Sequence, residues 1–225
     1  MTHFSDELAH FESDPSGRRW LFVPYDQLSD RIGPLSREDP SELGIVLVEN
    51  PWKAARRPYH RQKLALVLAN LRHFAVEQAA RGVAVRHVVA RGPYRCALEP
   101  LIAELGPLRF MRPAEYELRR DLTPLVRAGG LVEVAHKGWL TTGDDFSVSQ
   151  EKGPPWRMDA FYRHVRRRRG ILMDGGKPIG GKFSFDAENR KAWPGEPPAP
   201  RPPVFQPDGL TIEVAELIEQ HFAAH

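Results

Sequence analysis

Gly44 to Glu49 reads GIVLVE, four apolar residues in succession between a glycine and a carboxylate, with Asn50 following. A run with no polar alternation describes a strand covered on both faces, the environment of a parallel sheet flanked by helices. Trp20 to Pro24, WLFVP, repeats the design and delivers Tyr25, Asp26 and Gln27 where its carboxyl end would lie. From His60 to Arg81 the period changes: Leu64, Val67, Leu68, Leu71, Ala75 and Gln78 share one helical face, and Gly82 supplies a C-cap.

The alternation then continues. Val83 to Val89 reads as a strand, Tyr94 to Leu105 as a helix, Leu108 to Met111 as a strand, Ala114 to Arg127 as a helix and Leu131 to Ala135 as a fifth strand. Five short strands joined by helical crossovers predict an α/β fold: a doubly wound, Rossmann-like, five-stranded parallel sheet with helices on both faces. Residues 1–17 read as a polar leader, either mobile or a short docking helix with Phe4, Leu8 and Phe11 on one face. Residues 18–136 form the α/β domain, and residues 137–225 a connector and extension packing on it.

That extension has four parts. After a polar connector from His136 to Pro155, Met158, Phe161, Tyr162 and Val165 fall at helical spacing among Arg157, Arg163, Arg166, Arg167, Arg168 and Arg169. Asp174 to Lys182, with Lys177, Pro178 and four glycines, must turn and run irregularly. A proline-rich arm spans Ala192 to Pro207, and Thr211 can cap a terminal helix from Ile212 to Phe222. The basic helix has three readings: a solvated face, a nucleic-acid contact in which Lys177 and Lys182 would join the arginines, or a dock for an acidic protein or membrane surface.

The chain has 225 residues, is 41% apolar, and carries a formal net charge of +3 with unevenly placed arginines. It is long enough for a sizeable core. One cysteine, Cys96, leaves no internal disulfide and no cysteine-ligated cluster within one chain, and suits a reducing cytoplasm. No apolar run approaches the roughly 20 residues of a membrane span.

In a doubly wound sheet, ligands sit beyond the carboxyl ends of the strands near the switch point. Position therefore nominates Tyr25, Asp26 and Gln27 after the first strand, Glu49, Asn50, Lys53 and Arg56 after the second, and Arg112, Glu115 and Tyr116 after the fourth. Neither G-x-G-x-x-G nor G-x-x-x-x-G-K-[ST] is present, so a phosphate would be held by side chains such as Arg56 and Arg57. The histidines show no metal spacing, and no serine lies in a nucleophile elbow. No catalytic residue and no metal ligand is nominated.

The segment W-R-M-D-A-F-Y-R-H-V-R-R-R-R-G-I-L-M-D-G-G-K-P-I-G-G-K-F-S-F-D-A-E-N-R-K, beginning at Trp156, resembles the region after the α/β domain in bacterial photolyase-related proteins, the iron-sulfur cryptochrome and photolyase subfamily. Asp26-Gln27-Leu28, Val46 to Glu49, His60 to Lys63 and Leu71 to Ala75 agree with it in order. The resemblance implies an antenna-type α/β domain that holds a ribityl-lumazine at the strand ends. Longer members continue into a helical domain that binds FAD, carries a four-cysteine cluster and docks DNA. The expectation is that this domain is absent here: no FAD, no iron-sulfur cluster and no DNA repair by this chain alone, which is then a short stand-alone relative or a piece of a longer one.

The match departs at the rim. Tyr25 replaces the family's glycine before D-Q-L, Lys53 and Arg56 stand at acidic and aromatic positions, and Ala114 replaces the glycine before Glu115. A pocket turned basic favours flavin mononucleotide or another nucleotide, or is closed by Tyr25. The expected role is a small-molecule binding module; the alternative is a nucleic-acid-binding or partner subunit for a second, FAD-binding protein.

Overall fold

A computed structural model describes residues 2–136, 138–190 and 192–225. The chain forms two compact units, Met1–His136 with Gln206–His225, and Lys137–Phe205.

The first unit holds the sheet. Strands β1 (Arg19–Phe22), β2 (Leu43–Glu49), β3 (Ala84–Val89), β4 (Leu108–Met111) and β5 (Leu131–Val134) are ordered β3-β2-β1-β4-β5. Every pairing is parallel, with Phe22 opposite both Val46 and Phe110. The expected doubly wound α/β class is thus the observed one. Strand order reverses at the β1–β4 seam, which is the switch point.

The apolar runs work as the two-residue period requires. Trp20, Phe22, Val46 and Val48 point to a face covered by α4 (Tyr94–Leu105) and α5 (Tyr116–Arg127) through Leu98, Leu118 and Leu122. Leu21, Val23, Ile45 and Leu47 point to the other, against Leu71 and Phe74 of α3 (Arg61–Ala80) and Phe4 of α1 (His3–Ala9). Gly44 has a steric reason: a Cβ there would lie 2.5 Å from the Trp20 ring.

The leader thus contains α1, capped by Thr2 and anchored by buried Phe4. The terminal helix, α9 (Gly209–Phe222), starts before Thr211 because Asp208 is its cap, accepting the Thr211 N–H at 2.8 Å. Val214, Ile218 and Phe222 recur every four residues on α9 and close over Leu64 and Leu68 of α3, each contributing about 1.5–3 kcal/mol by burial. Helix α5 starts at Tyr116 instead of Ala114, since Glu115 is still extended.

One guanidinium ties three helices to the sheet. Arg72 of α3 donates to both Glu49 oxygens at 2.9 Å and to Glu213 of α9 at 2.5 Å. Glu213 also accepts the Phe4 N–H of α1 at 2.9 Å. Burial would push the Glu49 carboxyl up, but the His87 ring, at 3.3 Å, and the Arg72 hydrogen bonds overcome it and hold the group down at about 2.

In the second unit, the connector contains α6 (Gly143–Ser149), started by a Thr142–Asp145 capping box. The basic helix is α7 (Met158–Arg169), ended by Gly170 in the left-handed region. The glycine stretch is more regular than its composition suggested. Strands β6 (Met173–Asp174) and β7 (Lys177–Pro178) form a hairpin whose two-residue turn, Gly175-Gly176, has positive φ at both positions, the geometry that glycine favours. A last turn, α8 (Asp186–Asn189), precedes the proline-rich arm, which is exposed throughout. No helix among the described residues is long and apolar enough to cross a membrane.

Candidate site at the carboxyl ends of the strands

Asn50 organises the rim after β2. Its side chain accepts the Lys53 N–H at 2.9 Å and donates to Gly92 O at 3.2 Å, and Pro51 takes the first position of α2 (Pro51–Ala55). A proline there sacrifices no helical hydrogen bond. The short helix directs Lys53 toward the β1–β4 seam.

There Lys53 forms an ion pair with Glu115, and its ammonium lies 3.5 Å from the Tyr25 hydroxyl. Tyr25 donates to Glu115 at 2.9 Å, and the Lys53 ammonium sits 4.7 Å from the Tyr25 ring centroid and 5.9 Å from that of Tyr94. Burial, then the Glu115 hydrogen bond, push the Tyr25 phenol well above its ordinary range; burial first does the same for Tyr94. Both phenols are therefore neutral at physiological pH, and neither is poised to act as a base.

Two cavities open here. The outer basin, about 450 Å³, is lined by Trp52, Lys53, Arg56, Tyr94, Arg95, Glu117, Arg120 and Asp121, among others. Four cationic side chains face two carboxylates. Arg56 stacks on Trp52, its guanidinium carbon 4.9 Å from the ring centroid, and neither Arg56 nor Arg120 has a carboxylate partner among the described residues. Asp121 is occupied: it accepts the Tyr94 N–H at 2.7 Å and faces Arg95 at 3.7 Å. The inner cleft is about 100 Å³ and largely apolar, between Tyr25, Tyr59, Leu64, Val67, Leu68 and Tyr94, with Glu49 and Asn50 at its margin.

The nominated residues separate into groups. Tyr25, Lys53 and Glu115 meet; Asn50 and Arg56 frame them. Gln27 is buried and structural, donating across the seam to Met111 O at 3.3 Å and Arg112 O at 3.0 Å. Asp26 accepts the Ala114 N–H at 3.1 Å and holds the loop after β4. Glu49 turns to Arg72. Arg112 faces a different groove, with Arg119 and Arg127, and exposed Tyr116 stacks near Arg119. Sequence reasoning missed Trp52, Tyr94, Arg95 and Arg120. Tyr94 and Arg95 follow β3, so the positional question asked of the other strands would have found them there.

The basic helix of the second unit largely serves its own packing. Arg166 is buried and donates to Ile171 O at 3.1 Å, Leu172 O at 2.6 Å and Phe183 O at 2.8 Å. Arg168 and Arg169 reach Leu140 O, each at 3.0 Å, and Arg168 also pairs with Asp145. Arg163 pairs with Asp159 at 3.0 Å and Lys182 with Glu188. Arg167 lies over the Phe183 ring, whereas exposed Arg157 and Lys177 have no carboxylate partner among the described residues.

Fold and rim together define a doubly wound α/β domain whose polar basin opens near its switch point. The chain belongs to the deoxyribodipyrimidine photo-lyase-related protein family, whose model matches residues 21–225. It is 33% identical over 208 residues to a (6-4) photolyase of Agrobacterium fabrum, covering 88% of this chain and 41% of that relative's length. An uncharacterized protein, R852, of Acanthamoeba polyphaga mimivirus is 54% identical over 35 residues, 16% of this chain and 18% of its own.

Proposed function

We propose that the chain is the ligand-holding α/β layer of a photolyase-related protein and that its rim takes a phosphorylated aromatic molecule, a flavin mononucleotide or another nucleotide. The observation that carries this reading is the outer basin, where Arg56 and Arg120 lack carboxylate partners among the described residues and lie beside the half-open ring of Trp52. Guanidinium groups suit phosphate oxygens, and an exposed indole offers a stacking surface. The volume falls within the 300–1,000 Å³ range usual for small-molecule sites. Any share in the activity of the longer relative runs through this layer, with no residue of the chain assigned a repair step.

Titration with flavin mononucleotide, followed by flavin fluorescence, tests it. Binding should weaken at least tenfold in the Arg56→Ala/Arg120→Ala double variant and fall as salt rises. Failure to bind either flavin mononucleotide or adenosine monophosphate would reject the reading. Tight binding of unphosphorylated ribityl-lumazine, unaffected by the arginine substitutions, would replace the ligand with the lumazine.

A further inference from the structure

The outer basin and the inner cleft share two lining residues, Lys53 and Tyr94. Tyr94 is buried in the core and cannot move without unpacking it. Lys53 is different: it is fixed by side-chain contacts alone, its ammonium held by Glu115 and lying against Tyr25. We infer that Lys53, backed by Tyr25 on the cleft side, forms a partition that confines ligands to the charged outer basin and so makes the rim selective for phosphorylated over unphosphorylated ring compounds. The inference rests on the small-molecule reading of the rim given above.

The argument is one of size and polarity. At about 100 Å³ the inner cleft is far below the 300 Å³ at which small-molecule sites begin, so it admits no fused ring while the partition stands. Its walls are nevertheless the apolar ones, Tyr59, Leu64, Val67 and Leu68, that a ring would bury against. The basin outside offers a ring only the Trp52 face that Arg56 leaves free, beside four cationic side chains, so the phosphate adds affinity there that an unphosphorylated ring lacks. Glu115 accepts from both the Lys53 ammonium and the Tyr25 hydroxyl, so one carboxylate holds both side chains in place. Trimming Lys53 joins the apolar slot to the charged vestibule, and trimming Tyr25 widens the slot.

The experiment compares riboflavin and flavin mononucleotide, which differ by the phosphate, on the wild-type chain, Lys53→Ala and Tyr25→Gly/Lys53→Ala, each checked for folding by circular dichroism. Wild type should prefer the phosphorylated flavin at least tenfold. Riboflavin affinity should rise at least tenfold in the double variant and several-fold in Lys53→Ala, the milder change that serves if the double variant does not fold. Unchanged riboflavin affinity in a folded variant overturns the partition, as does a wild-type chain that binds both flavins equally. If wild type binds neither flavin but the double variant binds riboflavin, the partition stands and flavin mononucleotide falls as the phosphorylated ligand.

Discussion

Replacing Arg72 by methionine should be among the most damaging single changes in the first unit. The guanidinium makes two bonds to Glu49, whose side chain is 3% exposed, and one to Glu213. Methionine keeps much of the apolar stem but leaves the Glu49 carboxylate buried with only His87, at 3.3 Å. Removing one member of a buried ion pair costs about 3–5 kcal/mol, because the other charge stays desolvated. The same network sets an acid dependence. The Glu49 carboxyl lies at about 2 in the folded chain against an ordinary 4.5, a fall of about 2.5, or roughly 3 kcal/mol at 1.36 kcal/mol per unit. Because the folded value is depressed, that stability is present above pH 4.5 and lost as pH falls from there toward 2. Urea denaturation followed by tryptophan fluorescence at pH 7, 5, 4 and 3 measures both effects. The variant should lose about 3–5 kcal/mol at pH 7, and its stability should fall less steeply below pH 4.5 than that of the wild type. A loss below about 1 kcal/mol, or an acid slope equal to the wild type's, would refute the account of Arg72 as the partner that keeps Glu49 ionised.

Two further outcomes are expected. Gly44→Ala places a methyl group against the Trp20 ring and should destabilise the first unit by about 1–3 kcal/mol, read as a lower urea midpoint at unchanged slope; an unaltered midpoint would mean that Trp20 moves freely. Arg166→Gln leaves the carbonyls of Ile171, Leu172 and Phe183 short of donors, each costing about 1–3 kcal/mol where the group stays buried. Hydrogen exchange should then speed up across Met173–Pro178 while β1 to β4 keep their protection, and uniform protection would assign Arg166 no structural role.

Much of this was legible in the chain, for physical reasons. Continuous apolar runs such as WLFVP and GIVLVE have one stable environment, a strand covered on both sides, so five strands and their parallel class followed from pattern alone. The basic helix was equally plain, since Met158, Phe161 and Val165 repeat at helical spacing. The roles of charged residues were harder to see. Glu49 ends the strand that Arg56 follows, yet one pairs with Arg72 and the other stacks on Trp52; which way Glu49 turns depends on a partner 23 residues away in sequence. Arg166 looked like surface charge within a run of four arginines, and only the carbonyls exposed by the hairpin and its flanks explain its burial. The third strand end was overlooked because Tyr94 read simply as the start of a helix.

The union of Met1–His136 with Gln206–His225 in one unit has a consequence for the order of synthesis. The apolar groove on α3, with Leu64 and Leu68, leaves the ribosome about 150 residues before Ile218 and Phe222 arrive to cover it. At roughly 5–20 residues per second, that is an interval of about 8–30 s. Throughout it the nascent chain carries an unfilled hydrophobic seat, and the Arg72 guanidinium waits for Glu213. The first unit can be finished only from its far end, after all of Lys137–Phe205 has been made, so a ribosome stalled anywhere in the proline-rich arm would hold a sheet that is formed but not yet sealed.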